Sequence, residues 1–446
     1  KKNNKITESL NASKKVLELS PKDIEAYNNL GNTYRELGQL LESEKYLKQA
    51  IKLNPKFAPA YNNLGNTMKD LQNFEESIIF YQKAINLKPD YIEAYNNLGV
   101  ALKEVGKFEE SEKYLKEAIK LNPKFAAAYN NLGVTLQLLG KLEQSETYLK
   151  QATNLNSNFS EAFYNLGNTL TELERLDESI DAHKNSLKIN PSYTSAEVQM
   201  YNLMHLINDY SLESSLDDKS KKIGITTEVV QPFSILSWVD NPAEHLTRSQ
   251  NWAKKKLNKN INSNFIAPQK KPKRIKVGIF SADFNDHPIM YLITGLLREY
   301  DKEKIEIFIF SYGRKKSEKW QSYIKNNVDH FLEVSDFGDS EIVSLAKKKK
   351  IDIAIDLMGY TRYSRSNIFQ FKIAPLQINY LGYAGTTGTN YMDYIVADSI
   401  LIPDSHKKFF SEKIIYMPHT YLPTDYKNRN INTTIKRKEF KLPETA

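Results

Sequence analysis

Apolar and small residues recur along residues 1–201 with a period of 34 positions. The phrase Ala-Tyr-Asn-Asn-Leu-Gly begins at Ala26, Ala60, Ala94 and Ala128, and a fifth copy, Ala-Phe-Tyr-Asn-Leu-Gly, begins at Ala162. In each copy the leucine follows three positions after the aromatic residue next to the alanine, so the two lie on one face of a helix. The period therefore predicts repeated helix pairs rather than one long helix.

Small residues and prolines keep the same period and indicate where the helices touch and end. Gly31 has no side chain, so a partner helix is expected to pack closely against it, and Ala50 is expected to do the same in the second helix. Pro55 ends that helix and begins the turn into the next unit. Each pair leaves an apolar face that only a neighbouring pair covers, so the units are expected to stack into a solenoid. Residues 7–19 are interpreted as the second helix of an earlier repeat.

Asparagines occupy one position of every first helix, a position expected on the concave surface of the stack. They are Asn29, Asn63, Asn97, Asn131 and Asn165. A carboxamide both donates and accepts hydrogen bonds, so a row of them suits the backbone of an extended polypeptide of any sequence. The alternative is that they solvate an exposed face or cap neighbouring turns, although asparagine is a poor helix former.

The pattern changes in the second half of the chain. The helical period fades over residues 202–273, which are interpreted as a helical joint and linker, and strands alternate with helices after Arg274. Buried strands with helices between them predict a parallel, doubly wound sheet, whose ligands gather beyond the carboxyl ends of the strands. The strands are expected at Ile275–Ser281, Glu306–Tyr312, Ile351–Leu357, Gln377–Leu381, Tyr394–Ala397 and Ile414–Met417.

Composition narrows the classes of function. The chain has 62 Lys and Arg against 54 Asp and Glu, a mild excess of +8. Its basic runs, 270–274 and 347–350, lack interleaved aromatic residues and are interpreted as solvated segments, so no nucleic-acid partner is expected. The chain contains no cysteine, which excludes disulfides and thiol chemistry and fits a reducing compartment, the cytoplasm. No apolar run reaches ~18 residues, so no membrane partner is expected.

Two resemblances to known families follow from these residues. Tyr27, Leu30, Gly31, Tyr34, Ala50 and Pro55 occupy positions that resemble the signature of the tetratricopeptide repeat. The loops SADFNDHP, DLMGYT, LGYAGTTG, MDYIVAD and YMPHTYLPTD resemble, in order, the first catalytic lobe of bacterial-type O-linked N-acetylglucosamine transferases. The departures from that family are Ala384, where it often has proline, and Met358, where it often has asparagine.

The resemblance implies an all-α tetratricopeptide superhelix followed by an α/β Rossmann-like lobe, the first half of a GT-B glycosyltransferase. The expected divisions are residues 1–201 for the solenoid, 202–273 for the joint and linker, and 274–446 for the lobe. The chain is expected to stop before the second lobe, which in this family holds most of the nucleotide.

The resemblance also implies an inverting, metal-independent glycosyltransferase without a cofactor. Its donor substrate is UDP-N-acetylglucosamine, and its partner is a polypeptide acceptor with Ser or Thr, gripped by the solenoid groove at the asparagine row. His287 matches the histidine proposed in the family as proton acceptor; the alternative is that it shapes its loop or hydrogen-bonds the donor. Asp356 is the second catalytic candidate, for proton relay, or else a strand-end cap. The donor-binding candidates are Thr361, Gly382, Gly385, Thr386 and His419.

Other functions remain open at this point. Related solenoid-bearing transferases use GDP-fucose or UDP-glucose, and the determinants of that choice are expected mostly in the second lobe. A protein-binding scaffold with a degenerate lobe is the alternative from another class. The remaining histidines show no spacing typical of a metal site.

Overall fold

A computed structural model describes residues 2–209, 220–237, 239–256, 273–313 and 317–425, and within the first of these ranges it describes side chains from Ser9 onward. Residues 270–272 of the predicted basic run 270–274 and residues 426–446 of the expected lobe lie outside the described residues. Parts of the predicted joint and linker, residues 210–219 and 257–272, also lie outside them.

The first part of the chain folds into consecutive antiparallel helix pairs, as the 34-residue period predicts. The helices are α1 (Lys2–Leu19), α2 (Ile24–Glu36), α3 (Leu40–Leu53), α4 (Ala58–Asp70), α5 (Phe74–Leu87), α6 (Ile92–Glu104), α7 (Phe108–Leu121), α8 (Ala126–Leu138), α9 (Leu142–Leu155), α10 (Ser160–Glu172), α11 (Leu176–Ile189) and α12 (Thr194–Leu206). The even-numbered helices carry the asparagines and are the first helices of their repeats.

The repeated glycine sets the distance between the two helices of a repeat. A Cβ atom built on Gly133 would lie 2.5 Å from Cγ of Leu149, closer than real atoms approach. Gly31 and Gly99 meet Leu47 and Leu115 in the same way. The predicted close packing at the glycine is therefore confirmed, and it buries the facing leucines completely.

A serine also recurs every 34 residues, once in each second helix from Ser43 to Ser179. The hydroxyl of Ser145 donates to the carbonyl of Gly133 at 2.7 Å in its own repeat and lies 3.0 Å from the hydroxyl of Thr169 in the next. Ser111 repeats both contacts one unit earlier. These buried hydroxyls are thus satisfied within the solenoid, and they link neighbouring repeats.

The solenoid curves with the first helices on its inner side. Consecutive first helices contact one another, from α2 and α4 through to α8 and α10. Consecutive second helices lie farther apart, which places the asparagine row on the concave surface as expected. After α12, a 3-10 helix (Pro232–Ile235) and α13 (Pro242–Lys256) form the described part of the joint.

The second part of the chain contains a parallel sheet. Among the described residues seven strands pair in the order β3-β2-β1-β4-β5-β6-β7, all parallel. The strands are β1 (Ile275–Ser281), β2 (Ile305–Ser311), β3 (His330–Glu333), β4 (Ile353–Asp356), β5 (Leu376–Asn379), β6 (Tyr394–Ala397) and β7 (Lys413–Tyr416). The chain order reverses between β1 and β4, and ligands of doubly wound sheets bind at such a point.

Helices cover both faces of this sheet. Ile307 and Ile309 of β2 point to one face, against α14 (Pro288–Glu299) and α15 (Glu318–Asn327). Phe308 and Phe310 point to the other face, against α16 (Asp339–Lys349) and a 3-10 helix (Ser366–Phe371). Strand β3 was not predicted, because its four residues are all only half-buried and form no continuous apolar run.

Replacing Gly133 with alanine tests the close approach of the helices, because two effects have opposite signs. Helix propensity alone favours alanine by about 1 kcal/mol. The clash with Leu149 is expected to outweigh this gain, since overpacking costs about 1–3 kcal/mol. We expect a lower melting temperature by circular dichroism for Gly133→Ala and an unchanged or slightly higher one for Thr147→Ala, at an exposed position of α9. A stabilised Gly133→Ala variant would contradict the packing.

Candidate functional site

A cavity of about 670 Å³ lies between the solenoid and the carboxyl edge of the sheet. On the solenoid side it is lined where the first helices α6, α8 and α10 end, including Lys103, Gln137 and Glu172. On the lobe side it is lined by the loops that follow β1, β2, β4 and β5, including His287 and Thr361. The switch point of the sheet therefore faces the edge of the solenoid, which forms the opposite wall.

Two contacts fix the solenoid against the lobe. Arg362 forms an ion pair with Glu172 at the end of α10, and the hydroxyl of Tyr363 donates to the same carboxylate at 2.5 Å. At the end of α6, the guanidinium of Arg365 lies so close to Gly106 that a Cβ there would be 2.7 Å from Nη2. Cations at these positions suit the negative ends of the helices.

Arg365 also ties this contact to the lobe itself. Its Nε donates to Oδ1 of Asp339 at 2.6 Å, and its Nη1 donates to the carbonyl of Phe337 at 2.8 Å. The backbone N–H of Asp339 donates in turn to the carbonyl of Val105 in the solenoid, at 3.3 Å. One arginine thus joins the end of α6 to the beginning of α16.

The loop after β1 is held in shape by its own polar groups. The Asn285 amide donates to the carbonyl of Ala282 at 3.1 Å, and the backbone N–H of Asp283 donates to the hydroxyl of Ser281 at 2.9 Å. Asp286 accepts from the hydroxyl of Tyr291 at 2.6 Å and from the indole of Trp320 at 3.3 Å, which lowers the pKa of its carboxyl group. Every residue from Asp283 to His287 except Phe284 lines the cavity.

His287 ends this loop and begins helix α14. Its Nδ1 accepts a hydrogen bond from the backbone N–H of Ile289 at 3.3 Å, so the imidazole caps the helix. Oδ2 of Asp283 lies 3.5 Å from the same nitrogen. The ring is 42% exposed and lines the cavity, which agrees with the placement expected from the sequence.

Asp356, the second catalytic candidate, lies at the carboxyl end of β4 but does not line the cavity. It is buried, and its Oδ1 accepts from the backbone N–H of Met358 at 2.9 Å. Burial raises the pKa of Asp356 to about 6, against the opposite effect of the N–H groups of Met358 and Gly359. Its contacts are those of a cap that shapes the loop leading to Thr361.

Thr361 and Gly382 reach the cavity, while Gly385 does not. The hydroxyl of Thr361 donates to the carbonyl of Met358 at 2.9 Å. Gly382 passes so close to the backbone of Leu357 that a Cβ would lie 2.1 Å from its carbonyl oxygen. At Gly385, the ring of Tyr383 packs so closely that a Cβ atom would lie 2.7 Å from its Cζ, so this position requires glycine for packing.

The other two donor-binding candidates, Thr386 and His419, do not line the cavity. Thr386 is buried, and its hydroxyl donates to Oε2 of Glu412 at 2.7 Å. Glu412 also accepts from the backbone N–H of Thr387 at 2.6 Å, so this carboxylate anchors the glycine-rich loop. His419 follows β7, the last strand of the sheet order, and is exposed outside the cavity lining.

The asparagine row is built into the contacts between repeats. The amide of each member from the second onward donates to the side-chain oxygen of the asparagine that precedes the corresponding member one repeat earlier. The pairs are Asn63 with Asn28 (2.9 Å), Asn97 with Asn62 (3.1 Å), Asn131 with Asn96 (2.8 Å) and Asn165 with Asn130 (2.9 Å). Neither solvation nor turn capping, the alternatives from the sequence, describes this arrangement.

Several residues of the site escaped prediction from the sequence. Glu172, Arg362 and Arg365 act across the seam between solenoid and lobe, and Glu412 acts on a loop 25 residues earlier in the chain. None of them sits in a loop whose spacing suggests chemistry. A signal was present only for Glu412, which falls between two of the recognised loops.

In the part of the chain that the structure describes, no group of three or more His, Asp or Glu side chains could hold a metal ion. Over the same residues, no helix has the length and apolar character needed to cross a bilayer.

Family models match both parts of the chain. Residues 248–440 match glycosyl transferase family 41. Residues 24–57, 92–125 and 160–193 match models of the tetratricopeptide repeat. The first match contains every lobe residue that lines the cavity, from Ala282 to Gly382.

Curated relatives carry related names. The chain is 35% identical over 177 residues to the probable UDP-N-acetylglucosamine–peptide N-acetylglucosaminyltransferase SEC of Arabidopsis thaliana, covering 39% of this chain and 18% of that protein. It is 31% identical over 154 residues to the UDP-N-acetylglucosamine–peptide N-acetylglucosaminyltransferase of Caenorhabditis elegans, covering 34% of this chain and 13% of that protein. The matches thus span less than a fifth of these relatives' length.

Among solved structures, an O-GlcNAc transferase from Thermobaculum terrenum aligns with a TM-score of 0.48 and 21% identity, over 74% of this chain and 58% of that one. Family models match this chain in the order expected from the motifs, with tetratricopeptide repeats first and glycosyl transferase family 41 second. The chain thus resembles the tetratricopeptide repeat over residues 24–57, 92–125 and 160–193 and glycosyl transferase family 41 over residues 248–440.

Proposed function

We propose that this protein transfers N-acetylglucosamine from UDP-N-acetylglucosamine to Ser or Thr of polypeptide acceptors. The observation that carries the proposal is the cavity at the sheet's switch point, with His287 on one wall and the solenoid's edge on the other. A polypeptide in the groove is then adjacent to the edge of the sheet where ligands of this fold bind. The names of the Arabidopsis and Caenorhabditis relatives support the sugar and the acceptor class.

The acceptor is proposed to lie along the asparagine row. The amide of each asparagine from Asn63 to Asn165 donates to the neighbouring repeat, which fixes its orientation, and the amide of Asn97 donates to both Asn62 and Asn66. The side-chain oxygens of the row are proposed to accept from backbone N–H groups of the ligand, since a carboxamide oxygen has two acceptor lone pairs. A fixed amide loses little rotational freedom on binding, so the inter-repeat bonds favour recognition of a peptide backbone.

The transfer is proposed to invert the anomeric centre and to need neither metal nor cofactor. His287 is the proposed catalytic residue, because its ring lines the cavity. Asp356 is proposed to act through the loop that it caps. That loop carries Thr361 and also Leu357, whose carbonyl group packs against Gly382. The donor diphosphate is proposed to bind mainly in a second lobe, where basic groups and a helix N-terminus would stabilise it. We keep the cytoplasm as the proposed compartment.

Another nucleotide sugar is the second candidate, because the choice of nucleobase is proposed to rest mostly on the second lobe. Competition among UDP-N-acetylglucosamine, UDP-glucose and GDP-fucose in a form of the protein with both lobes separates these. The scaffold alternative is disfavoured by the well-formed loop from Asp283 to His287.

Replacing His287 with alanine tests the catalytic assignment. In a form with both lobes, we expect kcat for a peptide acceptor to fall about 100-fold or more, the usual cost of losing a positioned catalytic group. His406→Ala, on a 3-10 helix outside the cavity lining, is the matched control and should retain normal turnover. Unchanged glycosylation by His287→Ala would remove the assignment.

Residues 1–446 by themselves are expected to have little or no transferase activity, because the proposed diphosphate-binding groups belong to the second lobe. The measurement is radiolabelled sugar transfer to a peptide by this chain and by a form with both lobes, at equal concentration. Normal turnover by residues 1–446 would show that the described lobe suffices.

The asparagine row is tested by binding. We expect Asn97→Ala combined with Asn131→Ala to weaken binding of an extended, uncharged fluorescent peptide, measured by anisotropy. The control is Asn122→Ala combined with Asn156→Ala, which removes asparagines from the turns between repeats. Because the row also links repeats, melting temperatures are compared. Equal affinity in the folded row variant would exclude the row as the binding surface.

A further inference from the structure

The two ring nitrogens of His287 have different surroundings, and two groups lie within reach of Nδ1. Nδ1 faces both the N–H of Ile289, at 3.3 Å, and Oδ2 of Asp283, at 3.5 Å. With Nδ1 held at the start of α14, Nε2 is the nitrogen left for the cavity that the ring lines.

The two contacts of Nδ1 exclude each other in a neutral ring. A backbone N–H only donates, so its bond requires a lone pair on Nδ1. A carboxylate only accepts, so a bond to Asp283 requires a proton on Nδ1. A neutral imidazole carries one proton, and the partner of one nitrogen therefore decides what the other nitrogen offers.

Of the two contacts of Nδ1, the one with the N–H of Ile289 is the stronger. The N–H of Ile289 meets hydrogen-bond geometry with Nδ1, whereas Asp283 is within ion-pair distance only. Ile289 is buried and lies in the first turn, where a backbone N–H has no partner within the helix, and an unmet buried donor costs about 1–3 kcal/mol. Pro288 has no N–H, and the N–H of Met290 already donates to the carbonyl of His287.

We infer that neutral His287 carries its proton on Nε2 and serves the cavity as a hydrogen-bond donor, not as a proton acceptor. The group it would bind is an oxygen of the sugar or phosphate of the nucleotide-sugar donor. This inference rests on the proposed function for its ligand, but the position of the proton does not. It replaces the proton-acceptor role that the family resemblance suggests for His287.

The proton can be located in residues 1–446 without any substrate. Histidine labelled with ¹⁵N is observed at neutral pH by long-range proton–nitrogen correlation, and the His287 signals are those lost in His287→Ala. We expect a protonated Nε2 and an unprotonated Nδ1, and the same pattern in Asp283→Asn. A protonated Nδ1 in the wild-type chain would overturn the inference. Asp286→Asn is the matched control, since that carboxylate bonds Tyr291 and Trp320.

The role in transfer is tested by a glutamine substitution in a form with both lobes. Gln places an N–H near the position of Nε2 but cannot take up a proton, so His287→Gln should retain transfer within about tenfold, while His287→Ala should lose about 100-fold or more, the typical cost of one positioned donor. Equal losses in both variants, with unchanged melting temperatures, would contradict the donor role.

The outcomes separate this inference from the proposed function. Absence of transfer by the wild-type two-lobe form would reject the proposed function and leave the proton position to the spectroscopic result. Transfer by the wild type, together with equally inactive Gln and Ala variants, would reject the inference alone.

Discussion

The rest of this structure depends on one contact. It joins the ends of three solenoid helices to the strand-end loops of the lobe. Helices α6, α8 and α10 present their carboxyl ends, where backbone carbonyls lack helical partners and the helix dipole is negative. Arg362 and Arg365 meet two of these ends, and Glu172 and Asp339 hold the arginines in place. Because of this contact, the solenoid supplies one wall of the cavity, and the proposed peptide groove lies next to the proposed site at the sheet edge.

Polar and small residues in this chain often serve the scaffold and the proposed site together. The asparagines link consecutive repeats through their amide N–H groups, and their side-chain oxygens belong to the proposed peptide-binding surface. His287 caps α14 while its ring lines the cavity. A group held by the scaffold is already oriented, which reduces the entropy lost when a ligand binds.

Sequence periodicity predicted the solenoid and most of the sheet, because burial of one helix face or of a whole strand leaves a regular pattern. Strand β3 left no such pattern, since all four of its residues are half-buried. The site was harder to predict. The position of His287 in its loop was predicted correctly. The sequence could not reveal that the hydroxyl of Thr386 donates to Glu412 or that the ring of Tyr383 packs against Gly385. Those contacts depend on tertiary packing between distant segments.

The central claim is that a polypeptide in the groove reaches the cavity beside His287. Photochemical cross-linking tests it most directly, with an extended acceptor peptide that carries a benzophenone group next to its serine. The account predicts cross-links to the first helices α4, α6 and α8 and to the loop from Asp283 to His287, identified by mass spectrometry. Cross-links confined to the second helices, or to the far face of the lobe at α15, would contradict it.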